Sequence, residues 1–260
     1  MRSILVHADR GPSTPARLET GMSLARATGG HLSVLIDTPV TRYIAMDPMG
    51  GSYVATDALK QALAEDDAMA AAIEAQLAGQ DVPFDVIRSE AGPVDALATA
   101  ARLADVIILS RSSATAGELA LTARTPVLVL SDQSELKLPL DAACIAWDGG
   151  NEAALALRGS VPLLAGCGKV HVLSVTEKAG GFPATGAMNY LSRHGIKAEL
   201  VELVRAGSVA GTLATETSRL GGQLLVMGAF GKSRMREFVF GGVTRHFLGE
   251  ASGPALLLAH

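Results

Sequence analysis

Aromatic residues are scarce in this sequence: 4% of 260 positions, with a single tryptophan, Trp147. Ala, Leu, Val and Gly dominate instead within a 48% hydrophobic total, the composition of helices packed on a parallel sheet. Cysteine is nearly absent as well. Cys144 and Cys167 stand at no ligand-like spacing to each other or to a histidine, which argues against a disulfide framework or a cysteine metal site and leaves two buried thiols. Charge of one sign is not in excess. A formal net charge of -4 gives no broad electrostatic reason to expect nucleic acid or an anionic membrane surface as a partner. No apolar run approaches the roughly 18 residues of a spanning helix, and the opening MRSILVHADRG is too short and too soon polar for a signal peptide. A cytoplasmic protein of one large or two small domains is expected.

Standard catalytic and nucleotide motifs are missing too. The letters GAFGKS at Gly228 to Ser233 suggest a P-loop, but that pattern needs its first glycine at Val226. No G-x-G-x-x-G follows the first strand of either half, which excludes the usual dinucleotide fingerprint. The serine of AGSVAG, Ser208, lacks the flanking glycines of a nucleophile elbow, and no catalytic triad can be assembled.

What the sequence does contain is a repeat. The first half opens on ILVHAD, an apolar strand ending at Asp9, and the second on CIAWD, a strand ending at Asp148. Each leads into a helix. Thr14 to Ala27 carries Leu18, Met22 and Ala25 at helical spacing, and Asn151 to Ala165 carries Leu155, Leu157 and Leu164, with Asn151 placed as its cap. The alternating strands HLSVLID and VHVLSVTE follow, then a helical region, another strand, a small-residue turn and a helix. The apolar strands DVIILS and QLLVMG come next, and the halves close on TPVLVL and GPALLLA. Strand alternating with helix predicts parallel sheets with right-handed crossovers. The expected fold is α/β: two tandem doubly wound, Rossmann-like domains, 1–133 and 139–260, joined near Ser131 to Pro139. The closing strands can pair with each other and make the chain its own pseudo-dimer, removing two exposed edges.

The halves differ in two places. The first holds a long segment, 41–57, with a Pro/Gly-rich turn around Asp47 to Ser52, before a helix over Asp57 to Leu77; the matching stretch of the second half is short, with one helix near Ala184 to Arg193. One reading folds the 41–57 segment over the crevice of the first half. After the fourth strand, the second half carries G-x2-G-x9-G (Gly228, Gly231 and Gly241), followed by Gly242, Val243 and Thr244. The first half reads SRSSATAGELALTARTP there and lacks the glycines of the pattern.

The strand-end aspartates, the repeat and the G-x2-G-x9-G segment together resemble the universal stress protein family in its tandem form. The nucleotide-binding branch of that family carries this glycine pattern before a Ser or Thr. The resemblance implies ATP, with Mg, as cofactor. It implies Asp148 at the ribose, Val175 lining the adenine pocket, Met227 and Gly228 bordering base and sugar, and Gly231, Gly241, Gly242, Val243 and Thr244 at the phosphates. Glycines let backbone N–H groups approach phosphate oxygens, and a helix beginning near Val243 aims its positive end at them. Lys232, Arg234, Arg236 and Arg245 add positive charge. Two positions depart from the family pattern. Gly242 replaces the usual Ser or Thr, removing a hydroxyl donor, and Ala146 stands where nucleotide binders often have proline.

Three functions follow as alternatives: an adenine-nucleotide-binding stress-response regulator with one working site, in the second half; a member that binds no ATP and acts through protein contacts or another small ligand; and an enzyme on the same fold. The third lacks a positioned base or metal carboxylates beyond Asp148, so turnover is expected to be at most slow ATP hydrolysis. A homodimer, or a complex with a protein partner, is a further expectation from family behaviour.

Overall fold

The structure, a computed structural model, describes residues 1–46, 52–132, 134–176, 182–229, 242–250 and 252–260. In the first half, β1 (Ser3–His7) leads to α1 (Thr14–Thr28) and β2 (His31–Asp37). A short antiparallel hairpin, β3 (Ile44–Met46) and β4 (Ser52–Val54), precedes α2 (Thr56–Ala78). Then come β5 (Phe84–Ser89), α3 (Pro93–Ala100), β6 (Val106–Ser110), α4 (Ala116–Thr122) and β7 (Val127–Leu130). The second half repeats the order: β8 (Ala142–Ala146), α5 (Asn151–Leu164), β9 (Lys169–Thr176), α6 (Ala184–Arg193), β10 (Ala198–Val204), α7 (Val209–Arg219), β11 (Leu224–Gly228), α8 (Gly242–Gly249) and β12 (Ala255–Ala259).

One ten-stranded sheet results, in the order β10-β9-β8-β11-β12-β7-β6-β1-β2-β5. Each half is parallel, and the halves meet at an antiparallel seam where Leu256, Leu257 and Leu258 lie opposite Val129, Leu128 and Val127. The expected pairing of the two closing strands is therefore present within one chain. Strand alternation divides the core into two layers. Ile4, Val6, Ala143 and Ile145 face α1, α2, α5 and α6, while Leu5, Cys144, Leu225 and Met227 face α3, α4, α7 and α8. The stretch joining the halves is packed rather than free: Leu136 and Leu140 are buried, and the N–H groups of Leu136 and Leu138 donate to Thr20 and Ser23 on α1.

Asn151 begins α5 but does not cap it; Gly150 is the cap residue and has no side chain to offer. Ser208, by contrast, is a true cap, its Oγ accepting from the Gly211 N–H at 3.0 Å at the start of α7. Both cysteines are free. Burial pushes the Cys144 thiol up to about 11, so it stays protonated and unreactive at neutral pH. In the native protein a thiol reagent is expected to modify only the half-buried Cys167, with a second equivalent consumed after unfolding, as mass spectrometry would count directly. No described helix is long and apolar enough to cross a membrane.

Candidate functional site

Strand order reverses in each half between its first and fourth strands, at the carboxyl ends of β1 and β6 and of β8 and β11. Such points open a crevice in doubly wound sheets. In the second half Asp148 stands there, exposed, with Oδ1 accepting from the Gly150 N–H at 2.8 Å in an Asx turn that starts α5. Across the crevice Gly228 ends β11. A Cβ added to it would stand 2.7 Å from the Ala153 nitrogen and 2.8 Å from the Glu152 carbonyl carbon, so the helix start rests directly on the strand. Gly228→Ala is expected to push the two apart and destabilise the protein by about 1.5 kcal/mol, read from urea melts followed by Trp147 fluorescence.

Around this point the side chains are apolar. Ala146, Val175 and Val243, all half-buried, pack in one cluster with the buried Met227 and Phe247. Glu152, on the first turn of α5, was not singled out by sequence. Its Oε2 is buried, has no hydrogen-bond partner among the described residues and lies 3.2 Å from the place a Gly150 Cβ would take, while Asp148 Oδ1 lies 3.0 Å from the same place. Two carboxylates thus share one side of the crevice. They can accept hydrogen bonds from hydroxyl groups there and would repel phosphate. Of the residues expected at the phosphates, Gly242 is exposed at the amino end of α8, Val243 is half-buried and Thr244 is buried. Gly231, Gly241 and the basic residues Lys232, Arg234 and Arg236 lie outside the described residues.

The first half has the same frame with different contents. Register pairs His7 with Leu35 and Ala146 with Leu173, so Asp37 stands where the second half has Val175, His7 where it has Ala146, and Ser110 where it has Gly228. His7 is buried, and its Nε2 lies 2.5 Å from Asp37 Oδ1, while its Nδ1 has no partner among the described residues. The space between the strand ends is filled by Arg17 of α1, 1% exposed. It donates to Asp9 Oδ1 at 2.5 Å, to Thr14 Oγ1 at 2.6 Å and to Ser110 Oγ at 2.7 Å. Burial alone would raise the Asp9 carboxyl, but the hydrogen bond and charge of Arg17 outweigh it and hold the group below the ordinary carboxylate range. Beside them Arg10 bonds Tyr43, the Ala62 carbonyl and Asp66, which anchors the base of the 41–57 segment next to this crevice. Residues 47–51 of that segment lie outside the described residues.

The fold and the paired switch points define a tandem doubly wound protein, with Arg17 filling the switch point of the first half and apolar side chains beside Asp148 and Glu152 at that of the second. That architecture is the universal stress protein fold. The structure matches a universal stress protein from Archaeoglobus fulgidus at a TM-score of 0.73, with 13% identity, over 98% of this chain and 97% of that one. It also matches a Pseudomonas aeruginosa protein assigned to the universal stress proteins at a TM-score of 0.63, with 14% identity, over 99% of this chain and 92% of the other. At such identities the likeness establishes the fold, over the full tandem length. No protein-family model matches the sequence, and comparison with curated proteins gives no match.

Proposed function

We propose that the chain is a cytoplasmic universal stress protein that binds one adenine nucleotide, ATP with its Mg, in the second half, as a regulatory rather than a catalytic event. The observation that carries this reading is the contrast at equivalent positions. His7, Asp37 and Ser110, with Arg17, make the first crevice polar and full, whereas Ala146, Val175 and Gly228 leave the second apolar and small-sided. An adenine ring suits the second set, whose side chains offer apolar contact, with the carboxylates of Asp148 and Glu152 to one side. Asp148 and Glu152 suit ribose hydroxyls as acceptors. Phosphates belong away from those carboxylates, at the amino end of α8, where the helix dipole and free N–H groups favour anions.

Trp147 precedes Asp148 and is buried, with Nε1 donating to the Phe182 carbonyl at 2.9 Å, so it reports on this crevice. Titration of nucleotide-stripped protein with ATP is expected to saturate near one ATP per chain by calorimetry, with a parallel change in Trp147 fluorescence. Asp148→Ala and Gly231→Val should each remove the heat. No heat and no fluorescence change at millimolar ATP would reject the reading in favour of protein contacts or a different small ligand.

A further inference from the structure

We propose that Arg111, contributed by the first half, is a positioning residue for α8 and so for the ligand-binding end of the second half. Arg111 directly follows β6, and its N–H donates to the Leu130 carbonyl at 2.8 Å, extending the parallel ladder. Its side chain, 8% exposed, crosses the seam between the halves. Nη1 donates to the Glu250 carbonyl at 3.0 Å and Nη2 to the Pro254 carbonyl at 2.5 Å. Glu250 is the first residue past α8, and Pro254 is the last before β12. One guanidinium therefore ties the carboxyl end of the helix to the turn that returns it to the sheet. A second tie comes from the same half, with Ser131 Oγ donating to the Gly253 carbonyl at 2.8 Å. The turn is shaped around the cation: a Cβ on Gly253 would stand 3.1 Å from Arg111 Nη1.

Placing this guanidinium here is costly. Burial pulls its pKa below the ordinary arginine value, against the charges of Glu250 and Asp132, and among the described residues no carboxylate lies within ion-pair distance. What compensates is the end of α8, where carbonyls have no intrahelical donor and the helix dipole is negative. The tie runs one way only. The equivalent residue in the second half is Ala229, whose N–H bonds the Ala259 carbonyl as that of Arg111 bonds Leu130, but whose side chain has nothing to reach with. An eight-residue helix is short enough to move as a rod, so holding Glu250 also fixes where Gly242 and Val243 stand at the other end. The first half, with its own crevice filled, thereby acts as the clamp for the second.

The ligand side of this inference rests on the nucleotide reading; the clamp does not, and the test separates them. In the full chain, hydrogen exchange of the amides in 242–249 is compared for wild type, Arg111→Met and Arg111→Lys without nucleotide, with α7 as internal reference. Arg111→Met is expected to speed exchange in α8 about tenfold while α7 and β11 stay protected, and Arg111→Lys, which keeps a cation at the helix end, to fall between. ATP affinity is expected to weaken about tenfold in Arg111→Met with stoichiometry unchanged. Unchanged α8 exchange overturns the clamp. Equal loss of protection in α7, α8 and β11 overturns it as well, because Arg111 would then support only global stability. Should Arg111→Met not fold, Arg111→Lys and Ser131→Ala carry the same comparison. Faster α8 exchange in a protein whose wild type binds no ATP upholds the clamp and overturns its link to a nucleotide.

Discussion

Replacing Arg17 with methionine is expected to destabilise the protein by about 3 kcal/mol at pH 7, on the order of 10 °C in Tm, and to reverse part of its response to acid. Arg17 is fully buried and donates to three oxygens, Asp9 Oδ1, Thr14 Oγ1 and Ser110 Oγ, of which Asp9 Oδ1 also accepts from the Gly11 N–H and the Thr14 hydroxyl. A methionine fills much of the volume and satisfies none of them. Asp9, about a third exposed at 34%, can recover some hydration, which keeps the expected loss at the low end for a broken buried pair. The sign of the pH dependence follows from the direction of the shift. In the wild type the folded Asp9 carboxyl lies below its unfolded value of about 3.9, so its contribution is complete above that value and is lost as pH falls through the folded one. In Arg17→Met burial becomes the dominant influence and raises the carboxyl. The folded state then binds its proton more readily than the unfolded, and the penalty at pH 7 is relieved as pH falls through the raised value. The Tm gap between the two proteins should therefore narrow from pH 7 to about pH 3.5. A gap that stays constant with pH would mean that the Arg17–Asp9 pair contributes no net electrostatic stability. Arg17→Lys should not restore the wild type, because one ammonium cannot reproduce a planar guanidinium reaching three acceptors.

Arg17 also shows where reading the sequence stops. Alternating apolar strands and helices at 3.6-residue spacing were enough to place β1, α1, β8 and α5 to within a residue or two, because both periods are local. The antiparallel edge-to-edge pairing of β7 with β12 was legible because each half closes on an apolar strand that needs a partner. An arginine in an amphipathic helix, however, reads as solvent-facing unless its partners are known, and Ser110 is 93 residues away. The one local hint is the line Arg17, Gly21, Leu24 at i, i+4 and i+7: Gly21 is hemmed in by Val6 and Leu32, which marks that stripe as buried as well. Arg111 gave no hint, since its partners are carbonyls in a turn of the other half. For the second crevice, Asp148, Val175, Met227 and Gly228 follow from family resemblance rather than from local periodicity; Met227 and Val175 share one apolar cluster, and Gly228 meets the start of α5. The close packing of α5 on Gly228 and the unpartnered oxygen of Glu152 are three-dimensional facts with no sequence period behind them.

Gly242→Ser is expected to tighten ATP binding tenfold or more. Gly242 is exposed as the first residue of α8, and among the described residues a Cβ added there meets nothing within 4 Å, so none of them demands a glycine by packing or close approach. A serine hydroxyl would add a donor among the N–H groups at the start of the helix. A hydrogen bond to a charged acceptor contributes about 1.5 to 3 kcal/mol, and each 1.4 kcal/mol is a factor of ten in affinity. Gly242→Ala separates this from simple helix stabilisation. Alanine also fits and favours the helix by about 1 kcal/mol over glycine, but donates nothing. If the phosphates sit at this end of α8, serine should exceed alanine for ATP and the two should match for adenosine, which has no phosphate to receive the bond. Equal gains for serine and alanine with ATP would move the phosphates away from α8 and leave its dipole without a ligand. A serine gain seen with adenosine as well would turn the nucleotide end for end, placing the sugar at α8 and returning the question to what Asp148 and Glu152 accept.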